Sequence, residues 1–345
     1  MRSAFLGLAL ALVALAAPAR AAEPVTLDTA VDPGPNERDE PLAAALSLDS
    51  ARRFLDSASL NWQKEQQCFT CHTNYAYLYA RPALGATDTA HQQVRAFAED
   101  LVAKRWPAEG PRWDAEVVAT AAALAFNDAA TTGKLHPLTR TALDRMWTVQ
   151  KEHGGWDWIK CDWPPLESDD HYGATLAAIA VGVAPAGYAE TPAAQQGLAR
   201  LRDYLAKNPP STLHHRGMLL WAGSYLPELQ TAEEKTATIA ALRALQRPDG
   251  GWALASLGDW RRADGSPQDT ETSDGYGTGF VIYVLRRAGV PADDPALARG
   301  VDWLKTHQRQ SGRWYTRSLH QDSAHYLTHA GSAMAVMALA ACNAL

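Results

Sequence analysis

The chain has no excess of basic charge and no long apolar run after its first 22 residues. Its 32 lysines and arginines are outnumbered by 38 aspartates and glutamates, and no basic cluster stands out. A surface that attracts nucleic acid needs such a cluster, so we expect no nucleic-acid partner. A membrane-spanning helix needs about 18 consecutive apolar residues. None occurs after residue 22, and we therefore expect no transmembrane segment in the mature chain.

The single apolar run, Phe5 to Ala17, has the features of a secretory signal. Arg2 precedes it, and Ala19-Arg20-Ala21 follows it as a small-x-small cleavage site. We therefore interpret residues 1–22 as a signal peptide and predict a secreted or periplasmic protein. No cysteine follows the cleavage site, so a lipoprotein anchor is not expected. Residues 23–46 are rich in proline and acidic residues and are predicted to form an extended lead-in.

Tryptophan is abundant, with 12 residues, and three of these share one spacing. In each case a Gln precedes a Gly by four residues and a Trp by six, at Gln150…Gly154…Trp156, Gln246…Gly250…Trp252 and Gln308…Gly312…Trp314. Self-similarity at a fixed offset is typical of one supersecondary unit stacked repeatedly. The Gln is expected to end a helix, the Gly to allow the turn, and the Trp to pack between units. We expect Trp113 to lie in an equivalent turn.

The third copy extends this spacing into a longer motif. From Arg299 to Trp314 the order is a basic residue, Gly, two positions, an aromatic, Leu, three positions, Gln, three positions, Gly, one position and Trp. This motif resembles the QW repeat of squalene–hopene cyclases and related terpene cyclases. The resemblance implies an all-α fold, an α/α toroid or (α/α)6 barrel of about six helix pairs, over residues 47–345. It is specific for the fold and much less so for the reaction.

The first predicted turn carries a different motif. Phe69 stands six residues after Gln63, so Cys68-Phe-Thr-Cys71-His72 occupies the turn where other repeats carry Gly-x-Trp. Cys-x-x-Cys-His is the attachment pattern of a c-type haem, in which the thiols take up the vinyl groups and the imidazole becomes an axial iron ligand. Export supports haem, because such maturation occurs on the oxidising side of the membrane; a local disulfide, or a chance Cys-x-x-Cys beside a His, is the alternative. Zinc is the alternative metal, held by these three residues and a fourth ligand such as Cys161.

A second motif, Glu167-Ser168-Asp169-Asp170, precedes a predicted inner helix. It is similar to the Asp-x-Asp-Asp acid motif of class II terpene cyclases, with Glu in the first place. The resemblance implies that Asp169 protonates an alkene, which requires a carboxyl group kept protonated by its neighbours. The alternative is that Ser168 or Asp169 caps the helix, where acids suit the positive helix end. The residue types favour the cap.

The starts of the inner helices are expected to meet at one mouth of the ring, under two long loops, 157–168 and 253–272. We predict that function lies at this mouth. The candidates for catalysis there are Asp169, Asp170, His171 and Asp274. The candidates for metal binding, together with His72, are His214, His215 and His325, although each histidine alone also suits a capping or hydrogen-bonding role.

Three functions fit these residues. The first is an exported toroid that carries covalent haem and has a redox or ligand-binding role, with an electron-transfer partner in the periplasm. The second is an acid-dependent terpenoid cyclase or isomerase that acts on an apolar or isoprenoid small molecule. A lone toroid leaves such an acid open to water unless the long loops cover it. The third is a toroid that only binds a ligand or a partner.

Overall fold

The structure is a computed structural model that describes residues 23–85, 88–322 and 326–345. Within these ranges 13 α-helices are joined by turns, and the only β-structure is two isolated bridges. The helices are α1 (Leu48–Gln66), α2 (Ala76–Ala80), α3 (Thr89–Asp100), α4 (Trp106–Glu109), α5 (Asp114–Thr131), α6 (Pro137–Thr148), α7 (Asp170–Val183), α8 (Pro192–Lys207), α9 (Leu213–Gly223), α10 (Ala232–Ala244), α11 (Gly275–Arg287), α12 (Pro295–Thr306) and α13 (Tyr326–Ala341). The all-α prediction is confirmed.

Twelve of these helices form six consecutive pairs, and the short α4 extends the outer helix of the second pair. The second members of the pairs, α2, α5, α7, α9, α11 and α13, are the inner helices. Each inner helix contacts the next in this order, and α13 packs against both α11 and α2. The ring is therefore closed. The predicted α/α toroid of six pairs is confirmed.

The inner helices are buried on nearly every side. On α5 every residue from Ala115 to Asp128 is buried, and on α13 every residue from Leu327 to Leu339. A helix that is apolar all round belongs inside a larger structure, and here the outer helices enclose it. Outer helices show a single buried face, as in α8, where Ala194, Leu198 and Leu201 recur at helical spacing.

The three Gln-Gly-Trp turns share one geometry. The indole of each Trp donates to a carbonyl ten residues earlier on the preceding outer helix: Trp156 to Met146 at 3.0 Å, Trp252 to Leu242 at 2.8 Å and Trp314 to Leu304 at 2.7 Å. The amide of each Gln donates to the carbonyl of the turn Gly and to one on or beside the next outer helix: Gln150 to Gly197, Gln246 to Ala296 and Gln308 to Ser47. Each turn therefore ties one outer helix to the next.

Trp113 does not share this geometry, so its prediction is wrong. Its side chain is 56% exposed. Position 107, six residues earlier, is a proline instead of a Gln, so this turn lacks the anchoring amide. At the first turn Phe69 replaces the Trp and packs against Tyr75 and Phe97, with ring centroids 4.5 and 5.9 Å away.

Residues 33–43, which we call the strap, run across the joint between the last outer helix and α1. Arg309 donates to the carbonyls of Arg38 and Glu40, and Arg313 donates to those of Pro33 and Pro35, as well as to a carboxylate oxygen of Glu40. Backbone bonds join Ala43 to Gln308 and Gln310 to Pro41. Two arginines, of which Arg313 is buried, thus hold a segment that has no helix of its own.

The predicted signal peptide, residues 1–22, lies outside the described residues. Within the described ranges no helix is both long enough and apolar enough to cross a membrane. Helix α1 begins at Leu48, close to the predicted end of the lead-in at residue 46.

Candidate functional site

Cys68 and Cys71 open onto a cavity of about 290 Å³, which we call the thiol cavity. Its walls come from α1, the first inner helix, the start of α5, the start of α13 and loop 157–168. Six lining side chains are aromatic: Trp62, Phe69, Tyr75, Trp113, Trp163 and Tyr326. The polar lining includes Thr70, His72, Arg112, Glu116, Glu167 and the thiol of Cys161.

A sharp turn brings the Cys-x-x-Cys-His motif into this wall. The cap of α1, Gln67, adopts the left-handed region with φ of 48°. The first inner helix then begins with a π-helical turn, Cys71–Tyr75, which continues as α2. Cys71 and His72 are both buried in this wider turn. Such turns occur frequently at functional sites.

Loop 157–168 covers the thiol cavity, as the sequence predicts. Trp158 anchors the loop: its N–H donates to the Asp170 carboxylate at 2.9 Å, and its indole donates to the Leu166 carbonyl at 2.7 Å. Four residues of the loop line the cavity. Loop 253–272, predicted to lie over the same face, contributes no lining residue among the described parts of the chain.

His72 lies in a buried chain of hydrogen bonds. Its Nε2 is 2.8 Å from the Thr70 hydroxyl and 3.8 Å from a carboxylate oxygen of Glu167. Its Nδ1 is 3.0 Å from the Thr73 hydroxyl, which in turn is 3.0 Å from Nδ1 of His329 on α13. Imidazoles and hydroxyls both donate and accept, so this series, which we call the His72 chain, can pass a proton.

Glu167 is a buried carboxyl group in the lining of the thiol cavity. Burial raises its pKa to about 7, although a hydrogen bond from Thr70 opposes the shift. A large fraction of this carboxyl is therefore protonated near neutral pH, as a general acid requires. Glu167 was not among the predicted catalytic residues, because it holds the first place of the acid motif and the resemblance assigns the role to the third. The sequence feature that could have identified Glu167 is its position in loop 157–168, two residues before the helix cap Asp169.

The thiols of the cavity are unreactive in this state. Burial raises the pKa of Cys71 well above its ordinary value and also raises that of Cys68. Both thiols stay protonated near neutral pH. In the described residues all four cysteines are free. No three His, Cys, Asp or Glu side chains of those residues lie close enough together to hold a metal ion, so the zinc alternative has no ligand set there.

Asp169 caps α7, and the capping alternative is confirmed. Its carboxylate accepts from the N–H of Tyr172 at 3.0 Å and lies 3.0 Å from Nε2 of His215. Burial alone would raise the pKa of Asp169, but these bonds outweigh it and lower the pKa to about 2. An ionised carboxylate has no proton to donate, so Asp169 does not suit the acid role that the resemblance implies. Asp170, also a catalytic candidate, holds the loop and pairs with Lys160 at 3.0 Å.

The candidate histidines form a separate cluster. His171 stacks on His215 with ring centroids 4.5 Å apart, and within the described residues neither ring nitrogen of His171 has a hydrogen-bond partner. Nε2 of His214 lies 3.1 Å from the Tyr276 hydroxyl. Burial lowers the pKa of His171 to about 4 and that of His214 to about 3, so both are neutral. None of the three lines the thiol cavity. The structure therefore does not bring His214 or His215 to the thiols, and His325 lies outside the described residues.

Asp274 caps α11, which is a structural role. Its carboxyl accepts from the N–H groups of Gly277 at 2.8 Å and Leu254 at 2.6 Å. Burial raises its pKa to about 7. The cleft beside it is only about 20 Å³, too small for a substrate. The residues predicted to meet at one mouth therefore belong to two separate groups. One group contains the helix caps and the histidine cluster, and the other lines the thiol cavity.

The chain has partial similarity to known proteins, and no protein-family profile matches it. A squalene–hopene cyclase of Bradyrhizobium diazoefficiens is 32% identical over 85 residues, which are 25% of this chain and 11% of that protein. The structure of ent-copalyl diphosphate synthase from Streptomyces platensis gives a TM-score of 0.53 at 17% identity, covering 78% of this chain and 50% of that one. A glycosidase in complex with glucose gives 0.58 at 12% identity, covering 86% and 97%.

These similarities define the class of protein as an α/α toroid, a fold found here in a terpenoid synthase and in a glycosidase. At such identities they show the fold alone, because one fold hosts many reactions. The chain spans about a tenth of the curated cyclase and half of the synthase. The reaction must therefore be argued from the site.

Proposed function

We propose that the thiol cavity binds an apolar, isoprenoid-like small molecule and that Glu167 acts on it as a general acid, in an acid-dependent cyclisation or isomerisation. The observation that carries this proposal is a buried carboxyl group, with its pKa raised to about 7, in a wall of aromatic rings. The partial similarity to a squalene–hopene cyclase supports the same class of chemistry.

The cavity walls supply what a carbocation needs. An aromatic face stabilises a nearby cation by roughly 0.5–2 kcal/mol, more when water is absent. Trp62 and Tyr326 present rings at right angles, with centroids 5.2 Å apart, beside the His72 ring. Loop 157–168 adds the Trp163 ring to the same wall, and an apolar substrate bound against these rings would displace water from the reacting carbons.

The proposed reaction begins with transfer of the Glu167 carboxyl proton to one carbon of a C=C bond. The π electrons form the new C–H bond, and positive charge develops on the other carbon. In a cyclisation a second C=C bond attacks this carbon, which closes a ring and moves the positive charge to a further carbon. In a cyclisation or an isomerisation, a C–H bond beside the cationic carbon then breaks, and its electrons form the new C=C bond. The proton released returns to the Glu167 carboxylate, so the product is an isomer of the substrate and no co-reactant is needed.

The His72 chain fits a role in exchanging this proton. Thr70 is bonded both to Glu167 and to Nε2 of His72, and Thr73 continues the series to His329. The acid is thus connected to the protein interior as well as to the cavity. His72 and Thr70 are positioning residues in this proposal, since they act through Glu167.

The test is incubation of the purified protein in D2O with squalene and with geranylgeraniol, followed by mass spectrometry. We expect an isomeric product that carries deuterium on carbon, and we expect Glu167→Gln to abolish it. Glu152→Gln, which changes an exposed carboxylate far from the cavity, is the matched control and should keep full activity. A melting curve of Glu167→Gln shows whether the fold is intact. Turnover that survives Glu167→Gln would contradict the proposed acid, and binding without turnover would leave only a binding toroid.

A second candidate is a covalent c-type haem in the same cavity, and a separate observation favours it. Cys68, Cys71 and His72 all line one aromatic cavity, and the exposed guanidinium of Arg112 lies on its lining. The two thiols would hold the haem, Nε2 of His72 would exchange its bond to Thr70 for the iron, and Arg112 suits a carboxylate of the group. When bound, haem would supply one-electron or ligand-binding chemistry.

The haem candidate also rests on export by residues 1–22, and it would imply an electron-transfer partner in the periplasm. Its test is expression of the full chain with a haem-maturation system, followed by denaturation and a search for haem still attached to the chain. We expect Cys68→Ser with Cys71→Ser to remove it and Cys342→Ser, outside the cavity, to retain it. A colourless protein that isomerises polyenes would reject haem and support Glu167 as the acid.

A further inference from the structure

The opposite end of the ring contains a second cavity, of about 430 Å³, which we call the funnel. It lies where the inner helices end, whereas the thiol cavity lies where several of them begin. All six inner helices or their immediate extensions contribute to its lining, through Tyr79, Phe126, Val183, Tyr225, Tyr283 and Met337. Its volume falls within the range of roughly 300–1,000 Å³ that is usual for small-molecule sites.

Four aromatic side chains line the funnel, Tyr79, Phe126, Tyr225 and Tyr283, and the buried ring of Trp221 packs between Phe126 and Tyr283. Tyr79 lies 4.9 Å from Phe126, Phe126 lies 5.5 Å from Trp221, and Trp221 lies 4.9 Å from Tyr283, measured between ring centroids. The opposing positions on α5 and α13 are alanines, including Ala130 and Ala340. Small residues facing large rings leave open space that packing would otherwise fill.

Arg287 is the charged group of the funnel. Its guanidinium carbon lies 4.3 Å from the centroid of the Tyr225 ring, and its Nε donates to the Ser224 hydroxyl at 3.3 Å. Within the described residues no carboxylate lies at ion-pair distance from it. Other arginines at this end are already satisfied: Arg81 pairs with Asp56, and Arg286 donates to backbone carbonyls. Arg287 therefore offers an uncompensated positive charge beside an apolar wall.

The ends of six helices also converge here, and a helix C-terminus carries partial negative charge. This would favour a cationic ligand if the terminal carbonyls were open. Arg286 covers the carbonyl of Ala341, the last residue of α13. Backbone N–H groups beyond the helix ends cover other terminal carbonyls, including those of Asp128, Ala222 and Leu285. The cation at the lining itself is Arg287, so the net preference at the funnel is for an anion.

We propose that the funnel binds a small amphipathic carboxylic acid, whose apolar chain lies among the aromatic rings and whose carboxylate pairs with Arg287. Arginine forks bind carboxylates with two parallel hydrogen bonds, and such bonds are stronger than neutral ones. This site is independent of the thiol cavity and of the reaction proposed for Glu167.

The test is calorimetric titration of the full chain with three probes of equal chain length: decanoate, decanol and decyltrimethylammonium. We expect decanoate to bind about tenfold more tightly than decanol, as one charge-assisted pair provides, and the ammonium probe to bind most weakly. Arg287→Met should abolish the preference for decanoate but keep decanol binding. Ala340→Trp, which fills the funnel, should prevent binding of both, whereas Ala96→Trp on the exposed face of α3 should not.

Three outcomes would overturn the proposal: no binding of decanoate, tightest binding of the ammonium probe, or an unchanged preference for decanoate in Arg287→Met. If Arg287→Met lowers only the melting temperature, Arg287 is a helix cap and no more. Glu167→Gln should leave decanoate affinity unchanged, so failure at one cavity is separable from failure at the other.

Discussion

Two carboxyl groups of one motif, one buried and one partly exposed, have opposite pKa shifts. Glu167 and Asp169 are two positions apart, yet the pKa of Glu167 is raised to about 7 and that of Asp169 is lowered to about 2. Burial acts on both. Asp169 accepts from a helix N–H and lies 3.0 Å from Nε2 of His215, whereas the nearest imidazole to Glu167, that of His72, is 3.8 Å away. Residue type and spacing do not decide which carboxyl stays protonated, because the partners come from distant parts of the chain.

The Asp169 carboxylate should stabilise the fold above pH 4. Its lowered pKa means that the folded state favours the ionised form, so this contribution is lost as pH falls from about 4 to 2. Asp169→Asn keeps a good cap but removes the charge, and we expect it to cost about 1 kcal/mol of unfolding free energy at pH 6, after allowance for solvent screening. Asp169→Ala should cost about 1 kcal/mol more because the cap is lost too.

Urea denaturation at pH 6 and at pH 3 measures both effects. The difference between the natural protein and Asp169→Asn should shrink at the lower pH. A difference that is constant with pH would mean that the ion pair with His215 contributes nothing.

At the scale of the element, a position can require glycine for two separate reasons, a positive φ and the close approach of another part of the chain. Gly312 has φ of 95°, and a Cβ placed on it would lie 2.1 Å from the carbonyl oxygen of Ser50 on α1. Gly289 has the same φ of 95°, but no atom lies within 4 Å of the equivalent Cβ. A comparison of the two positions therefore separates the cost of backbone strain at positive φ from the cost of steric overlap with α1.

We predict that Gly312→Ala destabilises the protein much more than Gly289→Ala. Strain at positive φ should cost about 1 kcal/mol at either site, whereas the contact with α1 should add about 2 kcal/mol or more at Gly312. Chemical denaturation of both variants gives the comparison. Equal losses at the two sites would show that the turn does not hold α1 closely.

The sequence predicted correctly those features whose interacting groups lie within one turn or on the adjacent helix. The Gln-Gly-Trp spacing predicted the toroid correctly because the amide, the glycine and the indole act locally and on the adjacent helix. The prediction for Trp113 was wrong because position 107 is a proline, so this turn lacks the amide that anchors the others. The thiol cavity combines Cys71, loop 157–168 and the start of α13, which are far apart in sequence, so its lining could not be read from any single motif.

At the scale of the whole molecule, the strap is expected to stabilise the closed ring. Arg313 is only 4% exposed, and its guanidinium carbon lies 5.0 Å from the Phe54 ring while its nitrogens bond to strap carbonyls. Removing it would leave those carbonyls without their donors, at a cost of about 2 kcal/mol.

We predict that Arg313→Met and deletion of residues 23–40 each lower the melting temperature and that their effects are not additive. Both changes remove the same interactions, so the double variant should be little worse than the deletion alone. Arg317→Met, which breaks a more exposed pair with Asp322, is the control and should add fully to the deletion. Full additivity of Arg313→Met with the deletion would show that Arg313 acts without the strap.

The strap also has a consequence for the order of folding. Arg309 bonds to the carbonyl of Arg38, 271 positions earlier, and the inner ring closes only when α13 reaches α2. Contacts of such long sequence separation carry a large loop-closure cost and form slowly. A ribosome must finish nearly the whole chain before the joint can form, and until then the sides of α2 and α11 that pack against α13 have no partner. We expect nascent and truncated chains to aggregate or to engage chaperones until the last helix is complete.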